Sequence, residues 1–236
     1  MKYKKIIFLT IIVGVIVLLL SCSWDSSYGK DSGINWSGND SIIIKNEAQL
    51  RELALLINEG LNDFNGKTVT LADNIDLKGN EWKSIGNRLQ FQGVFDGNGK
   101  IIKGLTMPLF VKIGKNVIIK NLGGNISVEE NYGTIEKCYS NGRSLVERNY
   151  GTIKNCYNTG SSLVGSNYHG NEGTIENSYY NNETSNQNDT GKGEPRTTTQ
   201  MKQQITFINW NFNTIWGINS NINDGFSYLR NVGIGR

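Results

Sequence analysis

Apolar and polar positions follow three regimes along the chain. Lys2, Lys4 and Lys5 open it, and Ile6 to Leu20 then run almost without a polar interruption. That run of 15 residues falls short of the roughly 20 that a spanning helix needs. A basic start followed by a short apolar stretch predicts a signal peptide over 1–21. Residues 22–40 are polar and glycine-containing, and read as a flexible tether. From 41 to 236 short apolar clusters alternate with Gly and Asn, the pattern of one domain built from short strands and turns.

Within that domain the chain repeats itself. Tyr132-Gly-Thr-Ile135-Glu-Lys-Cys138-Tyr139 recurs 18 residues later as Tyr150-Gly-Thr-Ile153-Lys-Asn-Cys156-Tyr157, and again as Gly173-Thr-Ile175-Glu-Asn177-Ser178-Tyr179. Ser144-Leu-Val146 and Ser162-Leu-Val164 keep the same shift. A shorter form extends upstream as Ile119-Lys-Asn121-Leu122 and Ile102-Lys-Gly104-Leu105, so the isoleucines are spaced by 17, 16, 18 and 22. Ile and a residue three positions later point to opposite sides of a straight strand. A left-handed residue between them bends the chain and restores both to one side. Gly and Asn tolerate that conformation best. They stand at 104, 121, 155 and 177, with Lys137 the exception.

Each unit therefore reads as strand, corner, strand. Stacking such units about 4.8 Å apart predicts an all-β fold, a single-stranded right-handed parallel β-helix (β-solenoid) with inward Ile, Leu, Val and Cys ladders. Both ends need covers. At the start, Asn46 and Gln49 have capping-box spacing. Leu50, Leu53, Ala54 and Ile57 then share a helical face, and Gly60 ends the helix. At the finish a short helix opens at Thr197–Gln200, and Trp210, Phe212, Ile215 and Trp216 supply bulk to close the last coil. Residues 181–196 are polar and read as a mobile loop.

Composition agrees with placement: 28 Gly and 32 Asn among 236 residues favour turns over long helices. Charge matters only after the leader is subtracted. The formal charge of +3 includes three lysines of residues 1–21, so the remainder carries 21 basic and 21 acidic residues and is neutral. A neutral surface gives no electrostatic case for nucleic acid.

The apolar run ends in Leu19-Leu20-Ser21-Cys22, which resembles a bacterial lipobox. The resemblance implies that Cys22 is the lipid-modified first residue of the mature protein, anchored in a membrane by acyl chains such as palmitate. The units around 133–180 resemble the GLUG repeat of bacterial surface proteins. The stretch Asn74-Ile-Asp-Leu77, Glu81-Trp82, Ser84-Ile-Gly86 and Gly93-Val-Phe-Asp96-Gly-Asn-Gly99 resembles the region that commonly precedes those repeats. The likeness covers about 42–230. It implies a parallel β-helix, an adhesin-like role and a cell-envelope location at the outer membrane or cell surface. It does not imply an activity. Lys137 in place of Asn, Ser178 in place of Cys and an insertion around His169 depart from the pattern.

Candidate chemistry is sparse. His169 is the one histidine, too few for a His-based metal site, and no GxSxG, P-loop or dinucleotide-binding context is present. No catalytic residue, metal or cofactor is therefore expected, and the leading expectation is a binding protein. Asp73, Asp76 and Asp96 could serve a polysaccharide hydrolase or lyase on a β-helix face. Asp96-Gly-Asn-Gly99, however, is a turn by itself, and Asp73, Asn74 and Asp76 lack the spacing of a calcium loop. A structural envelope component is the third possibility. Cys138 and Cys156 stand one repeat apart, placed as stacked buried thiols rather than as a bond. Tyr139, Tyr157 and Tyr179 follow the inward position, and alternation turns them outward. Tyr132, Tyr150 and Tyr168 form a second series. Either stripe could present rings to a glycan or a protein ligand, against the alternative that each ring merely stacks on the next. Oligomeric state is not legible.

Overall fold

A computed structural model describes residues 33–36, 40–165 and 172–230. Cys22, the signal peptide and most of the tether lie outside the described residues, as do Tyr168 and His169. The chain divides into two units, 1–33 and 34–236, and every described strand and helix belongs to the second.

The backbone of this unit is a seven-stranded sheet in which every pair is parallel. Its order is β1 (Ser41–Ile44), β2 (Thr68–Leu71), β4 (Val94–Asp96), β7 (Ile118–Lys120), β10 (Thr134–Glu136), β13 (Thr152–Lys154) and β15 (Thr174–Glu176). One apolar column runs through it in register: Ile42, Val69, Phe95, Ile119, Ile135, Ile153 and Ile175. All but the last are buried. The three shorter parallel sheets comprise β3 (Ile75–Asp76), β5 (Ile101–Lys103) and β8 (Gly123–Gly124); β6 (Phe110–Ile113), β9 (Val128–Asn131) and β12 (Val146–Asn149); and β11 (Tyr139–Ser140), β14 (Tyr157–Asn158), β16 (Tyr179–Asn181) and β17 (Glu194–Arg196). β18 (Trp216–Gly217) and β19 (Tyr228–Leu229) form an antiparallel pair.

This topology corrects the expected single-stranded right-handed parallel β-helix. The described strands divide among separate open sheets of seven, four, three, three and two strands, with helical segments among them, an α/β-type arrangement. Unequal spacing is the physical reason. Successive partners in the long sheet, counted along the apolar column, lie 27, 26, 24, 16, 18 and 22 residues apart. Segments of such different length carry a flanking strand through only a few levels, so the flanking strands fall into several short sheets instead of running the length of the long one. The β3–β5–β8 ladder ends at Gly123–Gly124, and the tyrosine-bearing sheet takes over beside it, joined by the Tyr139 and Asn141 amides, which donate to the Leu122 and Gly124 carbonyls. The upstream repeat is corrected too. Ile102 pairs with Ile75 and Gly124 in a different sheet, and Phe95 holds the place before Ile119.

The corner residues behave as the spacing predicts. Gly104, Asn121, Lys137, Asn155 and Asn177 all have positive φ, from 44° to 74°. Lys137 therefore holds the left-handed conformation despite its side chain. The inward ladders form as well: Leu145 and Leu163, Val146 and Val164, and Cys138 and Cys156 are all buried.

The first helix, α1 (Glu47–Asn58), begins where the capping pattern places it, with the Asn46 side chain accepting from the Gln49 amide. It buries Leu50, Leu53, Ala54 and Ile57 in the same core as Ile42 and Ile44. Residues 181–196 are not a featureless loop. They form the end of β16, α2 (Asn182–Ser185) and β17. Asn181 is buried and caps α2 through its side chain, which supplies the order that a polar composition concealed. A full capping box of Thr197 and Gln200 starts α3 (Thr198–Met201).

Candidate binding surfaces

The two tyrosine series take different places. Alternation does turn Tyr139, Tyr157 and Tyr179 away from the main core, but not into water. Met201, Phe207, Trp210, Trp216 and Leu229 of the C-terminal segment pack over them as a second core. Tyr139 stacks on Tyr157 at 5.2 Å and 7°. The Tyr157 hydroxyl donates to the Ser227 carbonyl and accepts from Asn223 Nδ2. Gly123 precedes Tyr139 in this column because a Cβ there would lie 2.1 Å from the tyrosine ring. These three tyrosines are thus corrected from ligand platform to core. Burial pushes the Tyr139 hydroxyl up to about 12 and Tyr157 well above its ordinary value.

This packing also corrects the C-terminal cover. Trp210 and Trp216, stacked at 4.2 Å, pack on the tyrosine flank, and Trp210 meets the long sheet through its Nε1, which donates to the carbonyl of Asn177 just past β15 at 2.8 Å.

Tyr132 and Tyr150 are half-buried and stack at 4.7 Å and 17°. The Lys112 ammonium lies 4.4 Å from the Tyr132 ring centre, a cation–π contact. One face of Tyr132 therefore meets Tyr150 while the ring also carries a cation. Beside them Lys112, Glu130 and Arg148 stand in register on β6, β9 and β12. Glu130 pairs with Lys112 at 3.2 Å and with Arg148 at 2.8 Å. The surface is polar and aromatic, but its groups are engaged with one another.

Of the candidate acids, Asp73 is exposed, while Asp76 and Asp96 are held in structural roles. Asp76 accepts the Lys78 amide and pairs with Lys103 at 3.1 Å. These contacts, the Lys78 amide first, hold its carboxyl below the usual range. Asp96 accepts the Asn98 amide and Asn121 Nδ2, and pairs with Lys120 at 3.3 Å. Asp96 and Asp76 thus stand as turn-formers in different sheets. Among the described residues no cluster of three or more His, Cys, Asp or Glu could hold a metal ion. Cys138 and Cys156 are free thiols. The Cys138 amide lies 3.4 Å from Cys156 Sγ, and burial first, then the neighbouring thiol, drives the Cys138 pKa up.

Asp96 opens a charge column that sequence reading missed. In register across the long sheet stand Asp96, Lys120, Glu136, Lys154 and Glu176, alternating in sign. Glu136 binds Lys154 at 2.8 Å. Burial pushes its carboxyl up, but hydrogen bonds from Lys154 and Lys137 outweigh that and hold it below its ordinary value. The signal was present in the sequence as the alternation of Glu and Lys after each repeat isoleucine.

The column ends on β15. Thr174 and Glu176 are exposed and Ile175 is half-buried, whereas Ile153 one strand earlier is fully buried. Beside this edge lies a cleft of about 340 Å³ lined by Ile175, Asn177, Tyr179, Glu194, Arg196 and Ile208 among others. Arg196 sits 5.5 Å from the Tyr179 ring centre and pairs with Glu194 at 3.4 Å. Ile208, on the cleft wall, is 58% exposed, and Ile205, nearby in sequence, is 86% exposed.

No family model matches the chain. One curated relative, described as a "Putative Gly-rich membrane protein" of Evansella cellulosilytica, is 52% identical over 50 residues, a match covering 20% of this chain and 6% of that protein. The chain thus matches only a small part of that relative's length. Among solved structures, a crystal structure titled "putative immunoglobulin A1 protease" from Bacteroides ovatus superposes with a TM-score of 0.49 and 15% identity, covering 81% of this chain and 92% of that one.

Proposed function

We propose that this chain is an exported, membrane-associated binding protein of the GLUG-repeat surface type, adhesin-like, lipid-anchored at Cys22 and held at the outer membrane or cell surface. The carrying observation is the end of the long sheet at β15, which no strand among the described residues covers, with the cleft and the exposed Ile208 beside it. Sheet ends are ordinarily covered or charged against association, and an open one beside a cleft suits recognition of another molecule. The basic, apolar leader ending at Cys22 supports the anchor. The name of the partial relative agrees with a membrane location. Tyr132 and Tyr150 offer a second, smaller contact surface for a glycan or protein. No catalytic role is proposed, since Asp76 and Asp96 are each occupied in turns and ion pairs.

Protease shaving of intact cells tests this reading. Loss of the protein without permeabilisation, palmitate incorporation abolished by Cys22→Ser, and capture of a glycan or matrix protein on arrays are the expected results. Protection of the protein until the envelope is opened would overturn the surface-binding reading.

A further inference from the structure

Two sheets end at the same side of the molecule, and the chain treats them differently. The tyrosine sheet ends in β17, where Glu194 and Arg196 align with Tyr179 and Asn181 and Pro195 aligns with Tyr180. The Glu194 amide donates to the Ser178 carbonyl, so the Pro195 nitrogen faces the free side. Proline has no N–H to offer there, and the sheet cannot be extended through it. The flanking Glu194–Arg196 pair adds charge. This edge is blocked against further pairing.

The long sheet ends in β15 without such a block. The Thr174 amide donates to the Gly151 carbonyl, and the Glu176 carbonyl accepts from the Asn155 amide. Both residues thus aim their backbone groups at β13. Alternation aims the N–H and C=O of Ile175 to the opposite side, where no strand among the described residues pairs with β15. Ile175 also leaves part of its side chain uncovered. Glu176 ends the column Asp96, Lys120, Glu136, Lys154, Glu176, so a further strand in register would carry a basic residue opposite it. The cleft between Ile175 and Ile208 leaves room beside the edge.

We propose that β15 is a strand-addition site, which takes an extended, basic segment of a partner protein in parallel register. The segment bonds to the Ile175 backbone, lays a β-branched apolar side chain on Ile175, and sets the following Lys or Arg against Glu176. Main-chain bonds supply attachment, and the alternate side chains supply selection. The strand already seated on the other side of β15 shows the chemistry, with Thr152, Ile153 and Lys154 facing Thr174, Ile175 and Glu176. This inference rests on the binding reading above and names the partner class.

The test uses the full chain in detergent and a fluorescent peptide copying residues 149–155, Asn-Tyr-Gly-Thr-Ile-Lys-Asn, followed by anisotropy. Binding is expected. Methylating the backbone nitrogen of the peptide's lysine, which would donate to the Ile175 carbonyl, abolishes it. Glu176→Lys weakens it about fivefold or more, the scale of one exposed ion pair turned repulsive. A peptide with Glu in place of its Lys shows the opposite preference, binding Glu176→Lys better than the parent. Equal binding by the methylated peptide, or affinity indifferent to Glu176→Lys, overturns strand addition. So does concentration-dependent self-association lost in Glu176→Lys without peptide uptake, which would make a second copy the occupant. Peptide failure in a protein that shaving removes and arrays capture overturns this inference alone. Protection in the shaving test overturns the surface reading whatever the peptide does.

Discussion

The two ends of the long sheet receive opposite treatment. At β1 a single neighbouring strand suffices, because α1 brings Leu50, Leu53 and Ile57 into the core beside Ile42 and Ile44, and all five are at most 2% exposed. At β15 the equivalent Ile175 is left half-buried. The difference is not a shortage of apolar mass. Phe207, Trp210, Trp216 and Leu229 lie downstream, but they are committed to the tyrosine flank. Among the described residues, an end that could have been covered is left without a further strand while the flank beside it is sealed, which is the arrangement of an interaction edge more than of an unfinished core.

The strongest way to break this comparison is to attack the flank. Tyr157→Ala removes a fully buried ring and two hydroxyl hydrogen bonds and is expected to cost about 3–5 kcal/mol, read as a shift in denaturant midpoint. A loss under about 1 kcal/mol would mean the C-terminal segment is not packed there and remains available to close the end. Next comes a matched pair. Leu53→Ala at the covered end is expected to cost about 2–5 kcal/mol, while Ile175→Ala at the open end costs under about 1 kcal/mol. Equal losses would erase the distinction between the ends.

Alkaline titration probes the sealed flank without mutation. The Tyr139 hydroxyl has a folded value of about 12 against about 10 in the unfolded chain. The unfolded state therefore releases its proton first. The associated stability is intact below pH 10 and declines as pH rises from about 10 to 12, by roughly 2–3 kcal/mol for this group. Tyr139→Phe should flatten that decline, measured by urea midpoints across the range.

The uneven legibility of the molecule follows from range. Corners at Asn121, Asn155 and Asn177, the caps at Asn46 and Thr197, and the inward Leu, Val and Cys ladders depend on neighbours in sequence or one repeat away. Local propensity decided them, and they were readable. Alternation likewise told which side of the strand Tyr157 occupies. It could not tell that Ser227, 70 residues on, closes over it. The same distance effect hid the choice of Phe95 over Ile102 in the column before Ile119, since unequal spacing lets a strand skip a plausible partner. Buried Asn131 and Asn149 were missed because Asn reads as a turn residue. Their side chains instead join at 2.6 Å inside the fold, 18 residues apart.

A cap substitution measures the covered end on a finer scale. Asn46→Ala removes the acceptor of the Gln49 amide and is expected to cost about 1 kcal/mol. The smallest effect should have the opposite sign. Lys137 holds φ 52° where the neighbouring levels use Asn121 and Asn155 at 52° and 51°. A left-handed residue with an ordinary side chain costs about 1–2 kcal/mol, less for Asn. Lys137→Asn also gives up an ion pair to Glu136 at 3.2 Å, but Glu136 keeps Lys154 at 2.8 Å, so the loss is a few tenths of a kcal/mol. A net gain of about 0.5–1 kcal/mol is expected. Asn155→Lys should lose a similar amount, because Asn155 Oδ1 is buried with no hydrogen-bond partner among the described residues and contributes chiefly its backbone tolerance. If both substitutions leave the urea midpoint unmoved, the left-handed corner is not what selects Asn in these repeats. The interior would then be stabilised by its ladders alone, and the corners would be free to vary at both ends of the sheet.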